Sequence, residues 1–175
     1  MYPWFHSTAD LSLRFRSCVA SGFRAGGSLL SALLLQALLI GIVVPPVYAG
    51  PQGANVQHGD VNVERPDDTT TRVNQDSQDA IINWERFDVG VNESVEFDQP
   101  GASARALNRV VQHNPSEIRG SLTADGQIYL VNPAGILFGP SSTVNAAKLY
   151  AAAGGMSNED FLAGKDLFAD LEGTV

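Results

Sequence analysis

Short runs of alternating apolar and polar residues, separated by turn-forming residues, recur along the chain after its first fifty residues. Val91, Val95 and Phe97 share one phase, and Ile128 and Leu130 share another. A spacing of two is typical of β-strands, because successive side chains point to opposite faces. Gly, Asn, Asp and Pro, the common turn residues, interrupt the runs. Since no stretch keeps a helical apolar period over three turns, the sequence predicts an all-β fold.

An internal echo indicates how these strands are arranged. The segment Asn114–Ile118 is echoed by Asn132–Ile136, and each is an Asn-Pro turn that leads to an isoleucine. A period of about 20 residues with several strands in each period is typical of a β-solenoid, in which circuits of chain, or rungs, stack on one another. At about 20 residues a rung, residues 50–175 would form about six rungs. Because a terminal rung exposes unpaired strand edges, we expect a cap.

Two segments favour short helices. Ala102–Val111 is rich in Ala and Leu, and its propensity allows about two and a half helical turns before Asn114-Pro115 stops them. In Ser157–Ala163 a serine is followed by acidic residues at the second and third positions, which is typical of the first turn of a helix. We therefore predict helices at both places.

The first 49 residues have the organisation of a secretory signal peptide. An uncharged apolar run, Leu29–Val44, follows all the basic residues of this segment, and the small-x-small tripeptide Val47–Ala49 comes soon after it. We predict cleavage between Ala49 and Gly50, so that residues 1–49 are the signal and residues 50–175 are the mature domain. The alternative is a membrane anchor, but 16 residues span only about 24 Å of a hydrocarbon core of about 30 Å. The long basic region indicates either an extended signal or a start codon downstream of Met1.

Cleavage would also remove Cys18, the single cysteine, and leave 126 residues with 8 basic and 18 acidic side chains. The resulting net charge of −10 excludes a typical nucleic-acid binder, which concentrates Lys and Arg. Without cysteine the mature chain forms neither disulfides nor thiolate metal sites. Stacked rungs would then provide the stability that disulfides give other small exported domains.

Few residues of the mature chain are candidates for catalysis or metal binding. The neighbouring carboxylates Asp67-Asp68 and Glu159-Asp160 would point to opposite faces of a strand or lie solvated in loops. A glycoside hydrolase needs its carboxyl pair about 5–10 Å apart around one bond. His58 and His113 lack the close spacing of zinc ligands. No phosphate-binding loop or nucleophile elbow occurs in the sequence. The sequence therefore predicts no catalytic residue, no metal and no cofactor.

Several motifs follow one another in a distinctive order. They are INW at Ile82–Trp84, FD at Phe87-Asp88, QP at Gln99-Pro100, ALNRV at Ala106–Val110, the first Asn-Pro turn, GQIYLVNPAGILFG at Gly126–Gly139, VNAAKL at Val144–Leu149 and SNEDFLAG at Ser157–Gly164. This order resembles the N-terminal secretion domain of filamentous haemagglutinin-type exoproteins, the secreted partners of bacterial two-partner secretion systems. The resemblance extends from about Gly53 to Phe168.

The resemblance implies a right-handed parallel β-helix with an N-terminal cap. It also implies that the domain is a secretion signal. The periplasmic domains of a dedicated outer-membrane transporter would recognise it, and the transporter would pass the chain to the cell surface. Ala134 stands where the family commonly has Asn. Carried over to this sequence, the family's two Asn-Pro motifs give six candidate recognition residues: Asn114, Pro115, Asn132, Pro133, Gly135 and Ile136.

Further partners follow from the same resemblance. The general secretion machinery and signal peptidase would act first, at the inner membrane, and regions downstream of this domain would bind host or bacterial surfaces. Family members continue well beyond this domain, and the domain itself normally extends further than this chain does. We therefore expect residues 50–175 to be an incomplete secretion domain. Two alternatives remain: a carbohydrate-active β-helix enzyme (a polysaccharide lyase or hydrolase) and an inert truncated remnant.

Overall fold

The computed structural model describes residues 50–171 and 173–175. The predicted signal peptide, up to its last residue Ala49, therefore lies outside the described residues. In the described part of the chain the strands are β1 Asn55–His58, β2 Val61–Glu64, β3 Thr70–Gln75, β4 Asp79–Trp84, β5 Ser94–Asp98, β6 Arg105–Val110, β7 Ser116–Ile118, β8 Ser121–Ala124, β9 Gln127–Val131, β10 Ile136–Phe138, β11 Thr143–Asn145 and β12 Lys148–Ala152. One helix, α1, covers Asn158–Leu162. The predicted all-β fold is confirmed.

The strands form three sheets that run along a parallel β-helix. The first sheet has the order β1-β4-β6-β9-β12, the second β2-β3-β5-β8-β11, and the third contains β7 and β10. Every pairing is parallel except those of β1 with β4 and β2 with β3. The chain thus adds one strand to the first sheet and one to the second sheet in each rung, and the β-helix has about four rungs. Because β1 and β2 cover the first rung in the antiparallel direction, they form the predicted N-terminal cap.

The expected number of six rungs is wrong for two reasons. The first residues of the domain form the cap, and the chain leaves the coil after Ala152, so fewer residues coil than the sequence suggested. The early rungs are also longer than the expected period, because Thr70 pairs with Ser94 and Ser94 pairs with Ser121. The echo itself is out of register by two, because Ile136 pairs with Ser116 and not with Ile118.

The predicted helix at Ala102–Val111 is wrong, since Arg105–Val110 is strand β6. This segment lies between β4 and β9, and its Ala106, Leu107 and Val110 are buried. Burial on both faces of a central strand outweighs the small helix preference of Ala and Leu. The second predicted helix is confirmed as α1.

The phase of one strand also needs correction. Val91 lies in a turn and is 60% exposed, and β5 begins only at Ser94. Val95 and Phe97 are buried in the predicted phase. The Gly90 amide donates a hydrogen bond to the carboxylate of Glu93 (2.7 Å), which holds residues 90–93 in a turn before the strand. The alternation of apolar residues does not show such a hydrogen bond, so it placed Val91 in the strand.

Two apolar clusters stabilise the β-helix. The inner cluster fills the coil and contains Val73, Ile82, Trp84, Phe87, Val89, Val95, Phe97, Ala106, Val110, Ile118, Leu122, Ile128, Leu130 and Ile136. The outer cluster lies on the other face of the first sheet, where Ile81, Leu107, Tyr129 and Val131 pack against Met156 and Phe161. Because this sheet is covered on both faces, β4, β6 and β9 each contain at least three consecutive buried residues, as buried parallel strands do.

Polar side chains inside the coil are hydrogen-bonded to one another across rungs. The Trp84 indole donates to Asn108 Oδ1 at 2.9 Å, and Gln99 Nε2 donates to Gln75 Oε1 at 3.0 Å. The Gly126 amide donates to Gln99 Oε1 at 2.9 Å. Among the described residues no buried side-chain nitrogen or oxygen lacks a hydrogen-bond partner, so hydrogen bonds offset the desolvation of these groups.

We predict that Gly120 is required by the close approach of two rungs at a corner. A Cβ at this position would lie 2.2 Å from the carbonyl oxygens of both Glu93 and Gly90, whereas a Cβ at Gly155 would meet nothing within 4 Å. Gly120→Ala should therefore lower the free energy of unfolding by about 1–3 kcal/mol, and Gly155→Ala should change it by less than about 0.5 kcal/mol. Denaturant titration measures both, and equal effects would contradict the prediction.

Tyr129 should make the domain less stable at high pH. Burial and a hydrogen bond to Asp166 (2.8 Å) raise the pKa of Tyr129 above its ordinary value of 10.0. Below the pKa that Tyr129 has in the unfolded chain, its phenol is neutral in both the folded and the unfolded state. Above that pKa the phenol ionises only in the unfolded state, so the stability that Tyr129 contributes is progressively lost. Between about pH 9 and 11, the free energy of unfolding should fall more steeply for the wild type than for Tyr129→Phe. Parallel curves would refute this role.

Candidate functional site: two stacked Asn-Pro turns

The second Asn-Pro motif forms a tight turn directly after β9. The Gly135 amide donates to the carbonyl oxygen of Asn132 at 3.0 Å, and the Ala134 amide donates to Asn132 Oδ1 at 2.9 Å. Pro133 restricts φ at the second position, and Gly135 has φ of 111°, which favours glycine. The turn therefore depends on Asn132, Pro133 and Gly135. The departure at Ala134 is tolerated because only its backbone amide takes part.

Asn132 also joins this turn to the preceding one. Its Nδ2 donates to the carbonyl oxygen of Asn114 and to Ser116 Oγ, both at 3.0 Å, and its backbone amide donates to Ala152 O at 3.1 Å. The side chain is completely buried. Asn132 thus connects consecutive rungs at the corner, and the folded surface does not present it.

The first turn is different, because Asn114 and Pro115 are both exposed. The hydrogen bond from Asn132 reaches the backbone carbonyl of Asn114, and Asn114 itself is exposed. The next residue, Ser116, is buried and begins β7. The two motifs look alike in sequence, yet the first is a surface feature and the second is an internal one.

The remaining candidate residues divide in the same way. Pro133 is exposed, whereas Gly135 and Ile136 are buried. The Ile136 amide donates to the carbonyl oxygen of Thr174 at 2.9 Å, so the end of the chain contacts the residue that follows the second turn. The structure brings the two turns into direct contact and exposes three of the six candidates, namely Asn114, Pro115 and Pro133.

Two exposed apolar residues near the turns were missed by the sequence analysis. Val111 is 51% exposed shortly before Asn114, and Leu137 is 54% exposed shortly after Pro133. Leu137 lies opposite Glu117 in the pairing of β10 with β7. The available signal was the alternation in Ile136–Phe138, whose middle residue must face outward when its neighbours face the core.

The residues considered for chemistry are apart from this corner. Asp67 is exposed, and hydrogen bonds from the hydroxyl and amide of Thr69 lower the pKa of its carboxyl group. Asp160 receives a hydrogen bond from the Ser157 hydroxyl (2.7 Å) at the start of α1. His58 and His113 are exposed. In the described part of the chain, no three His, Cys, Asp or Glu residues are grouped as metal ligands would be.

Helix α1, the helix in the described part of the chain, is not long and apolar enough to cross a membrane.

Comparisons with known proteins agree on one family. The model of the TPS secretion domain matches residues 48–175. A heme/hemopexin-binding protein of Haemophilus influenzae strain Rd is 37% identical over 122 residues, which is 65% of this chain and 13% of that protein. Another heme/hemopexin-binding protein of Haemophilus influenzae is 39% identical over 101 residues, 58% of this chain and 11% of that protein. The chain therefore spans about an eighth of the length of these relatives.

A solved structure shows the same fold. The crystal structure of the HMW1 secretion domain from Haemophilus influenzae matches with a TM-score of 0.62 and 34% sequence identity, over 66% of this chain and 30% of that one.

The two asparagines should differ in their effect on stability. Asn132→Ala removes three hydrogen bonds at a buried corner, so we expect the free energy of unfolding to fall by about 1–3 kcal/mol. Asn114→Ala removes only an exposed side chain and should cost less than about 0.5 kcal/mol. Chemical denaturation of the two variants checks this. A loss of the same size in both would contradict the distinction between internal and surface turns.

Proposed function

The chain belongs to the TPS secretion domain family, and on that premise we propose that its stacked Asn-Pro turns are the surface recognised by a cognate outer-membrane transporter. Membership makes the chain the secretion domain of a secreted exoprotein, with such a transporter as its partner. The proposal concerns which residues the transporter contacts. The observation that supports it is the contact between the turns, through which Asn132 holds the exposed Asn114-Pro115 in one position.

The exposed part of this corner has the chemistry of a protein-binding surface. Asn114 offers an amide donor and acceptor, and Pro115 and Pro133 offer rigid apolar rings. Val111 and Leu137 are further exposed apolar residues close to the two turns in sequence. Exposed apolar residues together with a directional hydrogen-bonding group are typical of a specific interface.

The buried candidates have a different role in this proposal. Asn132, Gly135 and Ile136 are reached by a partner only while the chain is unfolded, because in the folded domain they lie inside the stack. Their direct effect on the transporter would therefore precede folding. Their effect after folding is indirect, through the position of Asn114. The two effects are separable by experiment, since only the second depends on stability.

We further propose the route by which the domain reaches the surface. Residues 1–49 would direct the chain through the inner membrane by the general secretion machinery, and signal peptidase would cut after Ala49. The transporter would then bind residues 50–175 in the periplasm. The cysteine-free composition of this part supports threading, because no disulfide would form before the chain crosses the outer membrane.

The alternative of a carbohydrate-active enzyme has less support. Two relatives that match are named as binding proteins, and their names mention no enzymatic activity. The carboxyl groups of Asp67 and Asp160 accept hydrogen bonds from their own local turns and lie in separate parts of the fold. The names of the relatives describe heme or hemopexin binding by those proteins as wholes. Because this chain matches only about an eighth of their length, we do not propose that binding activity for it.

Secretion with the cognate transporter tests the recognition surface. We expect Asn114→Ala to accumulate in the periplasm although its stability is unchanged, because the variant lacks the exposed amide. Asn92→Ala, which alters an exposed asparagine in another turn, should be released like the wild type. Culture supernatant and periplasm are compared by immunoblot. Normal release of Asn114→Ala, or equal retention of Asn92→Ala, would reject the proposal.

A second comparison separates recognition from stability. Asn132→Ala and Gly120→Ala should be destabilised by similar amounts, but only the first changes an Asn-Pro turn. We expect stronger periplasmic retention of Asn132→Ala than of Gly120→Ala. Equal retention of the two would show that Asn132 acts through stability alone.

A further inference from the structure

A segment outside the coil, Met156–Phe168, packs on the outer face of the first sheet and contains α1. We call it the strap. Phe161 and Met156 are its buried residues, at 1% and 4% exposure, and they belong to the outer apolar cluster. Most of the other strap residues are exposed. The segment is therefore attached to the β-helix at few points.

Two arginines of β6 hold the strap. Arg109 donates to the carbonyl oxygen of Met156 at 2.6 Å and to Asn158 Oδ1 at 2.8 Å. Arg105 donates to the carbonyl oxygen of Phe161 at 2.9 Å, and its guanidinium group lies 4.8 Å from the centre of the Phe161 ring. Arg105 and Arg109 are separated by an even number of positions in one strand and so face the same side of the sheet.

The same arginines are also hydrogen-bonded to β4, the strand of the preceding rung. Arg105 forms a two-point ion pair with Asp79 of β4, at 2.7 and 2.8 Å, and Arg109 donates to Asn83 Oδ1 at 3.0 Å. Both side chains are thus oriented by β4 before they reach the strap. A forked guanidinium group suits this bridging, because it offers separate donors to two partners.

The surface under the strap exists only when four rungs are stacked. Ile81, Leu107, Tyr129 and Tyr150 come from β4, β6, β9 and β12 and lie opposite one another in a single row of the sheet. Tyr129 and Tyr150 stack at 4.3 Å, and Phe161 meets the Tyr129 ring edge-on at 5.2 Å. No single rung provides this row.

The strap has little stability of its own. Helix α1 has five residues, far fewer than the roughly 12–15 at which isolated helices become marginally stable. Its last turn contains no basic residue of its own, and Arg105 supplies the positive charge and the donor at that end. The amides of Gly164 and Lys165 also donate there, to the carbonyl oxygens of Phe161 (3.0 Å) and Asp160 (2.8 Å). The helix therefore ends through its own backbone and depends on the first sheet for its packing.

From these observations we propose that the strap closes over the first sheet after the rungs have stacked, and opens as a separate unit, with Arg105 and Arg109 as its positioning residues. Closure ties strands from four rungs together on their outer face. The proposal goes beyond transporter recognition and does not depend on it. In an exported chain, closure would follow the emergence of β12.

Hydrogen exchange of the purified chain, followed by mass spectrometry, tests whether the strap opens as a separate unit. In Arg109→Gln we expect the amides of residues 157–168 to exchange about tenfold faster or more, while those of β4, β6 and β9 stay within about twofold of the wild type. Arg72→Gln is the matched control, because it removes the Arg72–Glu96 ion pair on another sheet. It should leave strap exchange unchanged. Unchanged exchange in Arg109→Gln, or an equal increase in strap and sheet, would overturn the proposal.

Two further variants keep the test decisive. If Arg109→Gln does not fold, Asn158→Ala removes one strap contact from an exposed helix residue and should still raise exchange in the strap alone. Arg109→Lys keeps the charge but not the fork, and should restore only part of the protection. A strap unaffected by Asn158→Ala, or fully protected in Arg109→Lys, would count against positioning by the guanidinium group.

Pulse labelling during refolding tests the order of closure. We expect amides of β4, β6 and β9 to become protected before those of residues 157–168. Protection of the strap first, or at the same rate, would show that it does not wait for the stacked rungs.

Discussion

Parallel backbone pairing between successive rungs is the interaction on which the rest of this structure depends. Each strand of the coil satisfies its backbone groups with a strand one rung away in sequence, as in Ser116 with Ile136 and Ser94 with Ser121. Unpaired backbone groups are costly when buried, so every rung needs a neighbour. The first rung has β1 and β2 as neighbours, and their antiparallel direction ends the stack. Cap, core and corners all follow from this one requirement.

The corners show how the stack accommodates polar residues. Gln99 Oε1 accepts a hydrogen bond from the Gly126 amide at one corner, and Asn132 Nδ2 donates to the Asn114 carbonyl at another. In both cases a side-chain amide replaces the backbone partner that a bend takes away. The candidate recognition surface is one of these corners, so the structural and functional interpretations of the Asn-Pro motif are compatible. Asn132 builds the corner, and Asn114 is displayed by it.

Local chemistry could be predicted from the sequence, and cross-rung register could not. Alternation gave the strands, and Ser157 gave the start of α1, because both signals lie within a few residues. Ala102–Val111 was predicted as a helix because propensity does not include the strands on either side of β6. The Asn-Pro echo aligned Ile136 with Ile118, whereas the strands pair Ile136 with Ser116, because a turn can be shared in sequence without its strands being in register. Equally, nothing local shows that Asn114 is exposed and Asn132 is buried.

Sequence separation distinguishes the coil from the strap. Contacts within the coil link residues about one rung apart, so each rung can form as soon as the next stretch of chain is available. The strap contacts join residues that are farther apart in sequence. Arg105 and Phe161 are separated by 56 positions, and Tyr129 and Asp166 by 37. The cap and the rungs can therefore form in order from the N-terminal end of the domain, without waiting for distant segments. Only the strap must wait, and it closes on a surface that the completed rungs have made. A domain without disulfides thus gains a late contact across several rungs that requires no oxidation and places no constraint on the extended chain.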